Sequence, residues 1–176
     1  MPEPIIKLLS PEYEEAFYRF AAEYLPDCDP HRIRKFASEY PKAFLLLICG
    51  GEVVGTAFGR DRSRQFPEDN SFELCGIAVR HDFQRKGFGR SLLSEFEKAA
   101  AYYGKAAVSL GSAEGYAEKF YISCGYSPSE YKVRENGVPC LKKIFADMED
   151  YLSCKRSGGD GFVVMRKDLD NDDQTL

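Results

Sequence analysis

The chain has 176 residues, 44% of them hydrophobic, which is enough for a single globular domain with a sizeable core. Lys plus Arg (24) against Asp plus Glu (28) leaves a formal charge of −4, which argues against nucleic-acid and membrane-surface binding, since both usually need a basic face. Six cysteines without a C-x-x-C pair, together with only His31 and His81, argue against a structural zinc site. The longest apolar run, Ala43–Cys49, is far short of a membrane span, and the chain shows no signal-peptide or lipidation motif. The expectation is a reduced, cytoplasmic protein with no metal.

Ile5–Leu9 reads as an edge or first strand. Ser10-Pro11-Glu12 has the form of a helix start, with Ser10 as N-cap and Pro11 at the first helical position. Tyr13, Ala16, Phe17, Phe20, Ala21 and Tyr24 recur at helical spacing until Leu25-Pro26-Asp27 stops the helix. A second helix is predicted from Asp29 to Tyr40, with Ile33, Phe36, Ala37 and Tyr40 on one side. The continuous apolar run Ala43–Cys49 suits a strand buried on both faces, and Gly50-Gly51-Glu52 a tight turn into a second strand, Val53–Gly59. The charged loop Arg60–Asn70 follows, then Phe72–Arg80 as the third strand of an antiparallel run.

That third strand leads into Gln84-Arg85-Lys86-Gly87-Phe88-Gly89-Arg90 and a helix to Tyr103. From Arg80 to Arg90 there are four Lys or Arg residues and one acid. A helix N-terminus offers unpaired N–H groups and the positive end of a dipole, and glycines let the backbone approach an anion closely. Leu92, Leu93, Phe96, Ala99, Ala100 and Tyr103 fall on one face of the helix, and Gly104 ends it. Ala106–Leu110 returns as a strand, and a strand–helix–strand crossover implies parallel pairing. After Gly111-Ser112, a helix carries Ala113, Ala117, Phe120, Tyr121 and Cys124 at helical spacing to Gly125. Tyr126–Arg134 is a further strand, and Asn136-Gly137 signals a turn. Leu141, Ile144, Phe145, Met148, Tyr151 and Leu152 then fit an amphipathic helix. Ser157–Gly161 reads as a flexible turn and Phe162–Met165 as the last strand. The expected organisation is one domain over 1–168, with 135–160 a variable insertion and 169–176 a frayed acidic tail.

Two familiar phosphate motifs are excluded. No G-x-x-x-x-G-K-[ST] occurs, and the dinucleotide fingerprint fails because Leu92 stands where its third glycine belongs. What remains is Gln84-x-x-Gly87-x-Gly89 opening a helix after the strand end Ile77-Ala78-Val79, followed downstream by Ala117-Glu118-Lys119-Phe120-Tyr121-Ile122-Ser123-Cys124-Gly125-Tyr126. Together these resemble the GNAT superfamily of acyl-CoA-dependent N-acyltransferases, with its [RQ]-x-x-G-x-[GA] loop and A-x-x-F-Y-x-x-x-G-[FY] helix end. The resemblance covers roughly Ala43–Tyr131, and Glu135–Asp160 departs from it.

The resemblance implies an α/β fold: a mostly antiparallel sheet with one parallel pair splayed around the cofactor, flanked by helices. It also implies transfer of an acetyl group from acetyl-CoA directly to a primary amine. Gln84 and the backbone amides of Arg85, Lys86, Gly87, Phe88, Gly89 and Arg90 would hold the coenzyme A pyrophosphate. Ile77, Ala78 and Val79 would pair with the pantetheine arm, and N–H groups near Ile77 and Ala78 would hold the oxyanion. Gly76 would mark a bulge that opens room for the cofactor. Tyr121 corresponds to the tyrosine that protonates the departing thiolate. Glu73, five residues before Ala78, has the spacing of the general base in histone-acetylating members.

Several of these residues have a second reading. Tyr121 also suits simple packing beside Phe120, and Glu73 a solvent-facing strand position. Ser112 suits either a hydrogen bond to cofactor or substrate or a cap on the next helix. Glu114 is a weaker base candidate, placed as a helix-terminus acid would be. His81 stands at the turn before the glycine loop. The Arg60–Arg64 loop suits either an acidic acceptor or plain solvation. The other function reading is a non-catalytic acyl-CoA-binding sensor or structural module. The acceptor is expected to be a small-molecule amine or a peptide, with a homodimer open and no nucleic-acid or membrane partner.

Overall fold

The computed structural model describes residues 2–112, 116–156 and 161–169. The chain divides into two units: the first runs to Ala106 and takes in Leu169, and the second is Ala107–Asp168.

In the first unit, strands β1 (Ile5–Leu8), β2 (Phe44–Cys49), β3 (Glu52–Asp61) and β4 (Ser71–Val79) pair antiparallel in chain order. Every residue of β2 is buried, as its unbroken apolar sequence predicts. One face is covered by α1 (Glu14–Tyr24) and α2 (Pro30–Glu39), whose Phe17, Phe20, Ala21 and Ile33 pack with Phe44, Leu46, Ile48 and Phe58. Phe17 meets Phe44 and Phe58 edge-on at 6.0 and 5.8 Å, geometries that aromatic quadrupoles favour. Helix α3 (Phe88–Tyr102) buries Leu92, Leu93, Phe96, Ala99 and Ala100, and Phe96 lies against Phe72 at 5.6 Å.

The entry to α1 differs from the prediction. Ser10 has extended backbone but its side chain makes no cap bond; instead Pro11–Tyr13 forms a 3₁₀ turn closed by Tyr13 N–H to Ser10 O at 3.0 Å, and α1 begins at Glu14. Asp29 does cap α2, accepting from His31 N–H at 3.0 Å.

In the second unit, β5 (Ala107–Ser112) is followed by α4 (Tyr116–Ser123), β6 (Ser127–Glu135), β7 (Val138–Ile144), α5 (Met148–Ser153) and β8 (Gly161–Asp168). The strand order is β5-β8-β6-β7, antiparallel throughout, so the last strand in sequence is an inner strand in space. The amphipathic helix expected over Leu141–Leu152 is corrected: its first part is β7, and only Met148–Ser153 is helical. Asn136 and Gly137 both adopt positive φ (53° and 79°), the conformation of a two-residue hairpin turn, and the hairpin takes the following residues into the sheet. The helical spacing of Leu141 and Ile144 was coincidental, because both side chains are exposed.

The architecture is thus of the α/β class, with mostly antiparallel strands flanked by helices. Expectations for Glu114, for the turn over 157–160 and for the acidic tail beyond Leu169 lie outside the described residues. Among the described residues, no helix is long and apolar enough to cross a membrane.

Candidate active site

The first unit carries the strand, the loop and the helix start. Ile77, Ala78 and Val79 end β4, half-buried and paired with Ala57, Thr56 and Gly55 of β3. The register shifts beside Gly76: Phe58 faces Gly76 while Gly59 faces Leu74, so Cys75 is the extra residue of a β-bulge. Gly76 has no room for a side chain, since a Cβ there would stand 2.7 Å from the Phe58 ring and 2.9 Å from Leu25 Cδ1.

Beyond the strand, a 3₁₀ turn at His81–Phe83 buries Phe83, and residues 84–87 are exposed. Gln84 Nε2 donates to Val79 O at 2.8 Å, tying the loop back onto the strand end. Lys86 Nζ donates to Asp82 O at 2.8 Å, and both Lys86 and Arg80 lie over the Phe83 ring. Arg80 also pairs with Asp82 and Glu52, and its hydrogen bond holds the Asp82 carboxyl below the usual range.

Arg85 and Gly87 both take left-handed backbone, φ 58° and 88°. Gly87 is the N-cap of α3 and supplies no side-chain cap; the first bond inside the helix is Ser91 N–H to Gly87 O at 3.0 Å. The N–H groups of Phe88 and Gly89 precede this first intrahelical bond and stand at the positive end of the helix dipole. An exposed, bent backbone with spare donors is a cradle for an anion such as a pyrophosphate. His81 is exposed, with its ring 6.3 Å from that of Tyr24.

Glu73 is drawn into a different group. Its Oε2 accepts from Arg60 Nε at 2.6 Å and its Oε1 from Arg62 Nη1 at 3.4 Å. Arg62 also reaches Asp69 at 2.9 Å, and Arg64 pairs with Glu39 at 3.0 Å. The arginines of the 60–64 loop are thus engaged by carboxylates, and Glu73 sits among guanidiniums with its side chain 21% exposed. Neighbouring Cys75 is pushed up to about 12, by burial first and then by the Glu73 carboxylate. Its thiol stays protonated near neutral pH and is a poor nucleophile.

The second unit holds the remaining candidates. Tyr121 lies on the inner face of α4, 8% exposed, with its ring 5.2 Å from Phe120 and 5.8 Å from Tyr126. Burial, and then the neighbouring Cys124, pushes its hydroxyl up to about 12, so it keeps its proton throughout the neutral range. Ser112 ends β5 buried, opposite Val163, and its hydroxyl has no hydrogen-bond partner among the described residues.

Sequence reasoning passed over Glu118. It shares the inner face of α4 with Tyr121, one turn earlier, and is buried with Arg156 and Tyr151 as partners. The signal was its spacing of three from Tyr121, which puts it on the buried stripe where a carboxylate is out of place.

The family model for the acetyltransferase (GNAT) domain matches residues 9–143. No curated protein sequence matches the chain. Among solved structures, Ard1 from Thermoplasma volcanium superposes with a TM-score of 0.67 at 20% identity, over 94% of this chain and 97% of that one. The ribosomal-protein-S18-alanine N-acetyltransferase from Escherichia coli gives 0.63 at 18% identity, over 99% of each chain. A GNAT family acetyltransferase from Elizabethkingia anophelis with acetyl-CoA bound gives 0.56 at 15% identity, over 94% and 98%. At such identities these likenesses concern the fold.

Proposed function

Since the chain belongs to the GNAT superfamily of acyl-CoA N-acyltransferases, we propose that it moves an acetyl group from acetyl-CoA directly to the primary amine of a small molecule or peptide. The observation that carries this reading is the loop at the head of α3, with Gln84 bonded to Val79 O, left-handed Arg85 and Gly87, and a helix start without a side-chain cap. These features fit the pyrophosphate of a coenzyme A thioester: the amides of Arg85–Arg90 donate, and Arg85, Lys86 and Arg90 add charge. Ile77, Ala78 and Val79 pair with the pantetheine amides as an added strand would. Ser112 offers a buried hydroxyl as a further donor.

Transfer needs three proton movements: the ammonium loses one proton before attack, the acylated nitrogen sheds a second as the C–S bond breaks, and the departing sulfur gains one, so one proton is released overall. Glu73 is the proposed base: Arg60 and Arg62 each take one lone pair of its carboxylate, and the pairs left over can accept the amine proton through water. Tyr121, still protonated near neutral pH, donates to the sulfur as the C–S bond breaks. None of the cysteines is assigned a nucleophilic role, in keeping with the raised Cys75 thiol.

Thermal shift with coenzyme A, run beside thiol release from acetyl-CoA over a panel of amines, tests the proposal. Stabilisation by coenzyme A together with amine-dependent thiol release is expected. Stabilisation without release on any amine would instead indicate an acyl-CoA-binding module.

A further inference from the structure

Glu118 is the one buried charged residue among the described residues, with its side chain 3% exposed, and the proposed chemistry gives it no part. A buried carboxylate is costly unless its charge and lone pairs are answered. Here both oxygens are answered from one segment. Arg156 Nη1 donates to Oε1 at 2.7 Å, and the Tyr151 hydroxyl donates to Oε2.

That segment is itself anchored. The Arg156 guanidinium lies 4.7 Å over the Tyr151 ring, and Phe145 meets Tyr151 edge-on at 5.5 Å. Helix α5 is capped by Asp147, and Asp150 binds both Lys143 and the Ala146 N–H. Helix α4, by contrast, has only eight residues, too short to hold its own orientation by backbone bonding. Glu118 and Tyr121 project from the same face one turn apart, so whatever fixes Glu118 also fixes the rotation and depth of Tyr121.

We infer that Glu118, clamped by Arg156 and Tyr151, is a positioning residue that aims the Tyr121 hydroxyl; this rests on the acid role proposed for Tyr121. The clamp binds no substrate and moves no proton. It sets where the proton donor stands, and a displacement of about 1 Å at such a group can cost on the order of 100-fold in rate.

The test compares Arg156→Ala, Arg156→Lys and Tyr151→Phe, each alone and combined with Tyr121→Phe, by kcat, by KM for acetyl-CoA and by melting temperature. Arg156→Ala should lower kcat about 10- to 100-fold with KM kept within about twofold, and Arg156→Lys should recover most of the loss. In the Tyr121→Phe background, Arg156→Ala should cost little more, because the group it aims is gone. An equal loss of kcat in both backgrounds, or a lowered melting temperature with unchanged kcat in Arg156→Ala, overturns the inference. If Arg156→Ala does not fold, Tyr151→Phe carries the same comparison, since it removes one hydroxyl and keeps the ring. A Tyr121→Phe enzyme with full kcat would instead remove the acid role and the inference with it. A large Tyr121→Phe effect without any clamp effect would overturn the inference alone.

Discussion

Replacing Tyr121 by Phe removes one oxygen and keeps the ring that packs against Phe120 and Tyr126. The size of the effect follows from the two acidities involved. Tyr121 is pushed up to about 12, whereas a free thiol titrates near about 8.5. Complete transfer from the phenol to a free thiolate would run uphill. Tyr121 therefore acts by hydrogen-bonding and partly protonating the sulfur as it leaves, while the proton shed by the acylating nitrogen restores the balance. That places its contribution at the low end of general-acid catalysis, about 100-fold in kcat, or about 2.7 kcal/mol of barrier. Steady-state thiol release from acetyl-CoA at saturating amine reads it. The Tyr121→Phe enzyme should lose kcat by that factor with an unchanged KM for acetyl-CoA, and the wild type should show no alkaline limb from this group below about pH 11. Unchanged kcat in Tyr121→Phe would refute the acid role and leave Tyr121 as packing.

Three further outcomes are expected. Gly87→Ala puts a Cβ on backbone at φ 88°, costing about 1–2 kcal/mol, and should weaken coenzyme A binding in calorimetry; undiminished affinity would place the pyrophosphate elsewhere. Glu73→Gln should lower kcat about 100-fold with the KM for acetyl-CoA unchanged, and an undiminished kcat would assign the proton to water. Asp61 would be raised by burial alone, but the Lys105 pair at 2.7 Å and two bonds from Ser63 outweigh burial and hold it below the usual range. A depressed carboxyl stabilises the fold above its unfolded pKa, about 3.9, and that stability is lost as pH falls through the lower folded value. Lys105→Ala should cost about 1–3 kcal/mol in urea unfolding at pH 7 and shrink this acid-induced loss; equal loss in both proteins would contradict the pairing.

Where local chemistry and tertiary structure agreed, the sequence was legible. The Phe17–Phe20–Ala21 stripe, the fully buried Phe44–Cys49 strand and the glycine-spaced head of α3 are each dictated by residues close together in the chain. Reading failed where distant partners decide. Val138–Ile144 carries apolar residues at helical spacing, yet pairing with β6 across the Asn136-Gly137 turn makes it a strand. The inner place of β8 between β5 and β6 follows from long-range pairing that no local pattern encodes. At the site, Gln84, Gly87 and Tyr121 could be named from motif spacing. The Arg60 and Arg62 partners of Glu73, and the Glu118 clamp completed 38 residues later by Arg156, depend on folding.

Acetyl-CoA labelled in its acetyl group, incubated with the protein and a panel of amines and followed by mass spectrometry of both, tests the central claim most directly. The account predicts label on an amine nitrogen, one thiol freed per acetyl moved, and none on the protein's cysteines along the way. Label lodged on a cysteine as an intermediate, or bound acetyl-CoA that acetylates no amine, would contradict it.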